Sequence, residues 1–273
     1  MTAMRSFAIL TLLTGTFASG CVAANSNPFE QDDFAVGLET LGPDDNPPGN
    51  TNGFSVDCFW NPSVQSAYRN LSQEPLHNDA EGNLPEGGVA DLSAVSNACR
   101  SEALKYLAEC ALPRGTSMTD PDTGITYAGW LGLAGQWRTS SLSSNNQWWV
   151  TSCLLAHLNG YGIVMPILLQ GDRAELQPTS AQLTEFPVSE SRAWGNLFAP
   201  NFVANVCYFD DVADTCDAEQ LLDERLCGTN PSCNLNVVGN CDSACSYDPL
   251  GGVLQCGSSG NRHITRREEG YDL

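Results

Sequence analysis

His157 stands four residues after Cys153 in "NNQWWVTSCLLAHLNGYG", one helical turn on, and a histidine beside a thiol is a pairing used for nucleophilic catalysis. Set beside a carboxylate, the same buried imidazole would act as a general base. The sequence holds three histidines, and the other two have weaker settings. His77 lies in the polar run "QEPLHNDAEGN" and His263 in the charged "NRHITRREEGYDL". A serine nucleophile elbow, a His-Glu-x-x-His pair, a Walker A loop and a Rossmann glycine fingerprint are all missing. An oxidised Cys153 cannot attack a substrate, and a single histidine on an apolar helix face packs in a core more often than it catalyses. No catalytic residue is assigned, and His157 is expected to be structural.

Two acidic stretches raise the question of a metal. "TDPDTGIT" sets Asp120 and Asp122 two apart before Gly124, like the start of a calcium loop, but the later oxygen ligand and glutamate are absent. A hairpin turn accounts for the same residues. "CYFDDVADTCDAEQLLDERLC" carries Asp210, Asp211, Asp214, Asp217, Glu219, Asp223 and Glu224, which read as a solvated helix face with acids at its N-terminal end. Neither stretch is assigned a metal, and no cofactor is expected. Trp60, Trp130, Trp137, Trp148, Trp149 and Trp194 suggest sugar stacking. Trp148 and Trp149 would point about 100° apart on one helix, so an exposed Trp148 ledge would favour a glycan. Core packing is the default for all six.

The twelve cysteines decide more. None forms a C-x-x-C pair, which disfavours zinc and c-type haem. Cys58, Cys99, Cys110, Cys153, Cys207, Cys216, Cys227, Cys233, Cys241, Cys245 and Cys256 are instead disulfide candidates. Cys110 and Cys153 lie on inward helix faces and can clamp two helices; Cys58 and Cys99 can close the entry segment over the first. Seven cysteines then remain after residue 206, enough for three local bridges and one leftover.

Cys21 is read differently. Arg5 precedes a charge-free run from Phe7 to Phe17 that ends in Ala18-Ser19-Gly20-Cys21, the plan of a secretory signal over residues 1–20. The run is too short to span a bilayer, which takes about 20 apolar residues. Small residues before a cysteine fit a lipobox, so Cys21 is the expected lipidation site, although Ala18 stands where leucine is usual. Residues 21–57 follow as an acidic linker. Between Val22 and Val56 six acids occur without one Lys or Arg, and "GPDDNPPGNTNG" builds no core. Loss of residues 1–20 leaves eleven basic and 32 acidic residues, a net −21. Such a charge excludes nucleic acid and leaves the lipid anchor as the only expected membrane attachment.

The helical and strand patterns that carry these residues predict an α+β fold: two amphipathic helices packed with short strands, then a disulfide-rich C-terminal subdomain. In "ADLSAVSNACRSEALKYLAECALPRG", Leu92, Val95, Cys99, Ala103, Tyr106, Leu107 and Cys110 recur at helical steps until Pro113 and Gly115. The second helix carries Trp149, Val150, Cys153, Leu154, His157 and Leu158 on one face, with Asn145 or Asn146 as cap and Gly160 as a left-handed stop. Strands are expected up to Ala134 after the 120–124 turn, in "GIVMPILLQG" with Pro166 at an edge or bend, and in "RAWGNLF" and "VANVCYF". The expected division is an α+β module at 58–206, a cysteine-rich subdomain at 207–256 and a flexible charged tail at 257–273.

In order, "YLAECALPRG", "GWLGLAGQW", "WWVTSCLLAHLNGYGIVMPILLQG", "AWGNLF" and "CNLNVVGNCDSAC" resemble a group of uncharacterised, cysteine-rich exported proteins and lipoproteins of predatory gliding, myxobacteria-like bacteria, over residues 90–256. The resemblance implies an extracytoplasmic address and a disulfide-stabilised domain, and brings no catalytic residues. The expectation is an envelope lipoprotein at the outer membrane or periplasmic face, binding or structural in role, with a cell-surface protein or glycan as partner. The alternatives are a soluble secreted form, a secreted hydrolase with an unidentified site, and a Ca²⁺- or glycan-binding module.

Overall fold

The computed structural model describes residues 50–77, 79–162, 164–209, 218–247, 253–257, 262 and 264–268. In chain order its elements are β1 (Asn50–Asn52), α1 (Val56–Phe59), α2 (Pro62–Leu71), α3 (Glu86–Val89), α4 (Asn97–Ala111), β2 (Ser117–Thr119) and β3 (Thr126–Ala128). There follow α5 (Ser144–His157), β4 (Met165–Gln170), α6 (Ser180–Glu185), β5 (Val188–Trp194), β6 (Ala204–Tyr208) and α7 (Ala218–Cys227). The chain closes with β7 (Leu235–Asn240), α8 (Cys241–Ala244), β8 (Cys245–Tyr247), β9 (Val253–Cys256) and β10 (Ile264–Glu268). Six strands form one mixed sheet in the order β1-β4-β10-β5-β6-β7, and β2–β3 and β8–β9 are separate hairpins. Only the β6–β7 pairing in that sheet is parallel. Helices with a mixed sheet make the fold α+β.

The two long helices organise the core. In α4, Ser96 caps the start by accepting from the Cys99 amide, and Ala103, Leu104, Leu107, Cys110 and Ala111 are buried. The expected helix from residue 90 is interrupted, because Ala90–Ala94 is a tighter 3-10 turn and Val95 is extended. Helix α5 is more deeply placed than a one-faced helix: every residue from Trp149 to His157 is buried. Its composition explains this, since apart from His157 that stretch carries no ionisable group and only Thr151 and Ser152 carry a hydroxyl. Thr151 donates back to the Gln147 carbonyl and Ser152 to the Arg262 carbonyl, so both hydroxyls are satisfied. α5 packs against α4 on one side and against β5 and β10 on the other.

Five disulfides brace this frame. Cys110–Cys153 joins α4 to α5, and Cys58–Cys99 joins α1 to α4, the two pairs anticipated from the helix faces. Cys207–Cys241, Cys227–Cys233 and Cys245–Cys256 are three local bridges of the C-terminal third. Cys21 and Cys216 lie outside the described residues.

The strands correct several expectations. Residues 264–268, placed in a flexible tail, form β10, an inner strand hydrogen-bonded to β4 and β5. Ile264, Thr265 and Arg266 are buried there, so pairing with β4 and β5, and not a local apolar pattern, places the strand. The boundary between 206 and 207 falls inside β6, which pairs with β5 before it and β7 after it. Residues 207–256 therefore share the sheet with the first module. The linker also ends sooner than residue 57, since Asn50–Asn52 pair with β4 and Phe54 is fully buried.

Smaller details follow local geometry. Pro166 lies opposite Thr51, in the half of β4 that β10, which pairs with Leu168–Gln170, does not reach. Ser143 caps α5, not Asn145 or Asn146, because the helix begins one turn before Asn146 and uses that residue's amide as the donor. Gly160 is not in the left-handed region; a β-carbon there would sit 2.1 Å from the Glu224 carbonyl oxygen, and its amide donates to the Arg225 carbonyl at 2.7 Å. Close approach to α7 is what requires glycine. Trp149 faces the main core, whereas half-buried Trp148 packs on a second cluster of Trp194, Cys207, Cys241, Cys245 and Cys256. The expected alternative of an exposed Trp148 ledge is thus not what forms.

Candidate functional site

His157 occupies the middle of the helical core. Its ring is fully buried, with Nδ1 at 3.7 Å from the Cys153 sulfur and 3.9 Å from that of Cys110. Nδ1 is also 2.8 Å from the Cys153 carbonyl oxygen. A carbonyl can only accept, so Nδ1 carries the proton, and Nε2 keeps a lone pair with no hydrogen-bond partner among the described residues. Burial lowers the His157 pKa to about 4, the bond to the Cys153 carbonyl opposing that shift, so the ring is neutral at physiological pH.

Two sulfurs and an imidazole nitrogen within 4.8 Å have the spacing of a metal site. The chemistry does not fit one. The sulfurs are bonded to each other, and the nitrogen nearest them presents a proton instead of a lone pair. A disulfide packed against a core histidine is the better description.

The acidic hairpin is equally committed. Arg100 from α4 donates through Nε and Nη2 to both oxygens of Asp120, at 2.6 and 2.5 Å, and through Nη2 to Asp122 at 2.7 Å. Asp120 is fully buried and also accepts from the Thr123 hydroxyl and the Asp122 amide. Burial pushes its carboxyl up, but these bonds and the guanidinium outweigh it and hold the pKa below the usual carboxylate range. A guanidinium already fills the position that a cation would take, and the loop reads as a turn tied to α4.

Sequence reasoning missed the largest polar centre. Glu190 lies in β5 where the register to β10 slips: Arg266 pairs with Ser191 and Arg267 with Ser189, leaving Glu190 unopposed. Such a bulge re-aims a side chain. Here it sends the Glu190 carboxylate between two guanidiniums, 2.7 Å from Arg225 Nε and 3.1 Å from Arg266 Nε. Arg266 also reaches Glu268 at 2.5 Å, and Arg225 donates to the Ser191 hydroxyl at 2.9 Å. Both arginines donate to the Leu158 carbonyl, and Arg266 donates to that of Ala156, so they neutralise the negative end of α5. Burial lowers the Arg225 pKa to about 10, with Glu190 opposing, which leaves it charged. Burial and then Glu190 raise that of Glu268. Two positive and two negative groups thus balance inside the protein. A charged residue on an apolar stripe was the available signal: Arg225 shares the inward side of α7 with Leu222 and Leu226.

The remaining candidates are scattered. His77 contacts the Ser117 carbonyl at 2.8 Å, far in sequence from His157, while His263 lies outside the described residues. Asp210, Asp211, Asp214 and Asp217 lie outside them too, and Asp223 and Glu224 are exposed on α7.

The chain thus forms a disulfide-braced α+β module in which Arg100, Asp120, Glu190, Arg225 and Arg266 are ion-paired in the interior, an architecture compatible with an extracellular structural or binding role. No family model matches the chain, and neither a curated protein nor a solved structure matches it.

Proposed function

We propose that the chain is an exported lipoprotein of the bacterial envelope, acylated at Cys21, whose braced module serves in binding or structure at the outer membrane or periplasmic face and catalyses no reaction. One observation carries the reading. Ten of the twelve cysteines, all within residues 58–256, are joined in five disulfides. Five bridges fit an oxidising compartment, and Cys21, directly behind a signal-like run, has the sequence position of an acylated residue.

The side chains that would do chemistry support the non-enzymatic part. His157 is sealed against a disulfide, Asp120 is held by Arg100, and Glu190 is held by Arg225 and Arg266. Each is engaged in holding elements together. Among the described residues no helix is long and apolar enough to cross a membrane. Fractionation of cells producing the Cys21→Ala variant tests the proposal: the protein should move from the membrane to the soluble fraction. An unchanged distribution would refute acylation at Cys21.

A further inference from the structure

Five large apolar side chains are exposed among the described residues, and two of them share one loop. Tyr161 is 49% and Val164 62% exposed, between α5 and β4. From Leu158 to Gly171 no Asp, Glu, Lys, Arg or His occurs. The loop is mounted firmly at both ends. Gly160 bonds to the α7 backbone, and Met165 pairs with Asn52 of β1. Two exposed apolar side chains on one uncharged loop, held at both ends, are available for contact.

The chain outside the described residues indicates what it contacts. Residues 1–49 join the module at Asn50, in β1, which pairs with β4 directly beyond the loop. Behind β1, a β-carbon on Gly53 would lie 3.2 Å from Val164, so tether and loop share one edge of the sheet. If Cys21 is acylated, the 28 residues from Val22 to Gly49 lead from this edge to the bilayer. A chain of that length reaches at most about 100 Å. Such an attachment keeps the module near the lipid, so a contact too weak to act alone becomes occupied.

We propose that the Tyr161–Val164 loop is a membrane-contacting tip, seated in the interfacial zone of the bilayer to which Cys21 anchors the chain. This rests on the lipoprotein reading given above. Tyrosine suits that depth, having a ring that buries and a hydroxyl that stays wet. Burial and Glu224 push the Tyr161 pKa to about 12, so the hydroxyl is neutral. A strongly acidic protein would be repelled by anionic headgroups, which makes an uncharged contact the accessible one.

Hydrogen–deuterium exchange of the mature, acylated protein tests this on phosphatidylcholine vesicles against the same protein in dilute detergent. The amides of residues 160–165 should exchange severalfold more slowly on vesicles, and Val164→Ser or Tyr161→Ser with Val164→Ser should remove that slowing without lowering thermal stability. Recovery with vesicles but unchanged exchange would overturn the tip and leave the anchor standing. Slowing that grows with protein concentration in the absence of vesicles would assign the loop to a second copy of the chain and overturn the tip as well. A chain that fails to sediment with vesicles, with Cys21 unmodified, would refute the lipoprotein reading and the tip with it.

Discussion

Arg225 Nε lies 2.7 Å from Glu190 Oε1, an ion pair between α7 of the cysteine-rich third and β5 of the preceding module. Both residues are buried, and the bulge at Glu190 exists in the register that lets them meet. Removing one partner leaves a buried charge uncompensated, which costs about 3–5 kcal/mol. Glu190→Ala should therefore lower the unfolding free energy by about that amount in chemical denaturation. A loss under about 1 kcal/mol would show that the centre is solvated and does not bind the halves together.

Strand β10 makes a related prediction. It lies between β4 and β5, so a chain ending after Gly257 exposes two inner strand edges and removes Arg266 and Glu268. That truncation should abolish cooperative thermal unfolding. A folded truncated protein would mean that residues 258–273 are the dispensable tail their composition suggests.

The helices, the first two disulfides and the turn at 120–124 were legible because each writes a local signal: helical spacing of apolar residues, cysteines on those faces, and Asp-Pro-Asp-Thr-Gly. Glu190, Arg225 and Arg266 were not legible as a group. They come from three elements far apart in the chain, and only a bulge in the sheet register brings the carboxylate to the guanidiniums. "ITRRE" looked like surface for the same reason, since its two neighbouring strands begin some 70 or more residues earlier.

His157 makes stability depend on pH in a defined direction. Its folded pKa of about 4 is below the ordinary 6.5, so the unfolded chain takes up a proton that the fold refuses. The contribution is complete above pH 6.5 and is lost as pH falls toward 4, by about 3 kcal/mol in all. His157→Gln should cost some stability at pH 7 and show a shallower loss between pH 6.5 and 4 than the parent. Identical slopes for the two proteins would contradict a buried neutral ring.

Gly160→Ala tests the junction of α5 with α7. The added carbon would meet the Glu224 carbonyl at 2.1 Å, so backbone must shift. A drop in melting temperature of several degrees is expected, whereas Gly124→Ala, in open space at a positive φ of 70°, reports backbone strain alone. Equal effects at the two sites would deny the close packing at Gly160.

Acylation would set Cys21 apart from the disulfide framework. With ten cysteines in five bridges, Cys21 and Cys216 are the two that remain of twelve. Mass spectrometry of the mature protein, alkylated without reduction and then digested, reads both at once. The expected result is an N-terminal peptide that begins at an acylated Cys21, with Cys216 either alkylated or bridged to another molecule. A peptide pair joined through Cys21 and Cys216, or a mature N-terminus downstream of Cys21, would contradict it.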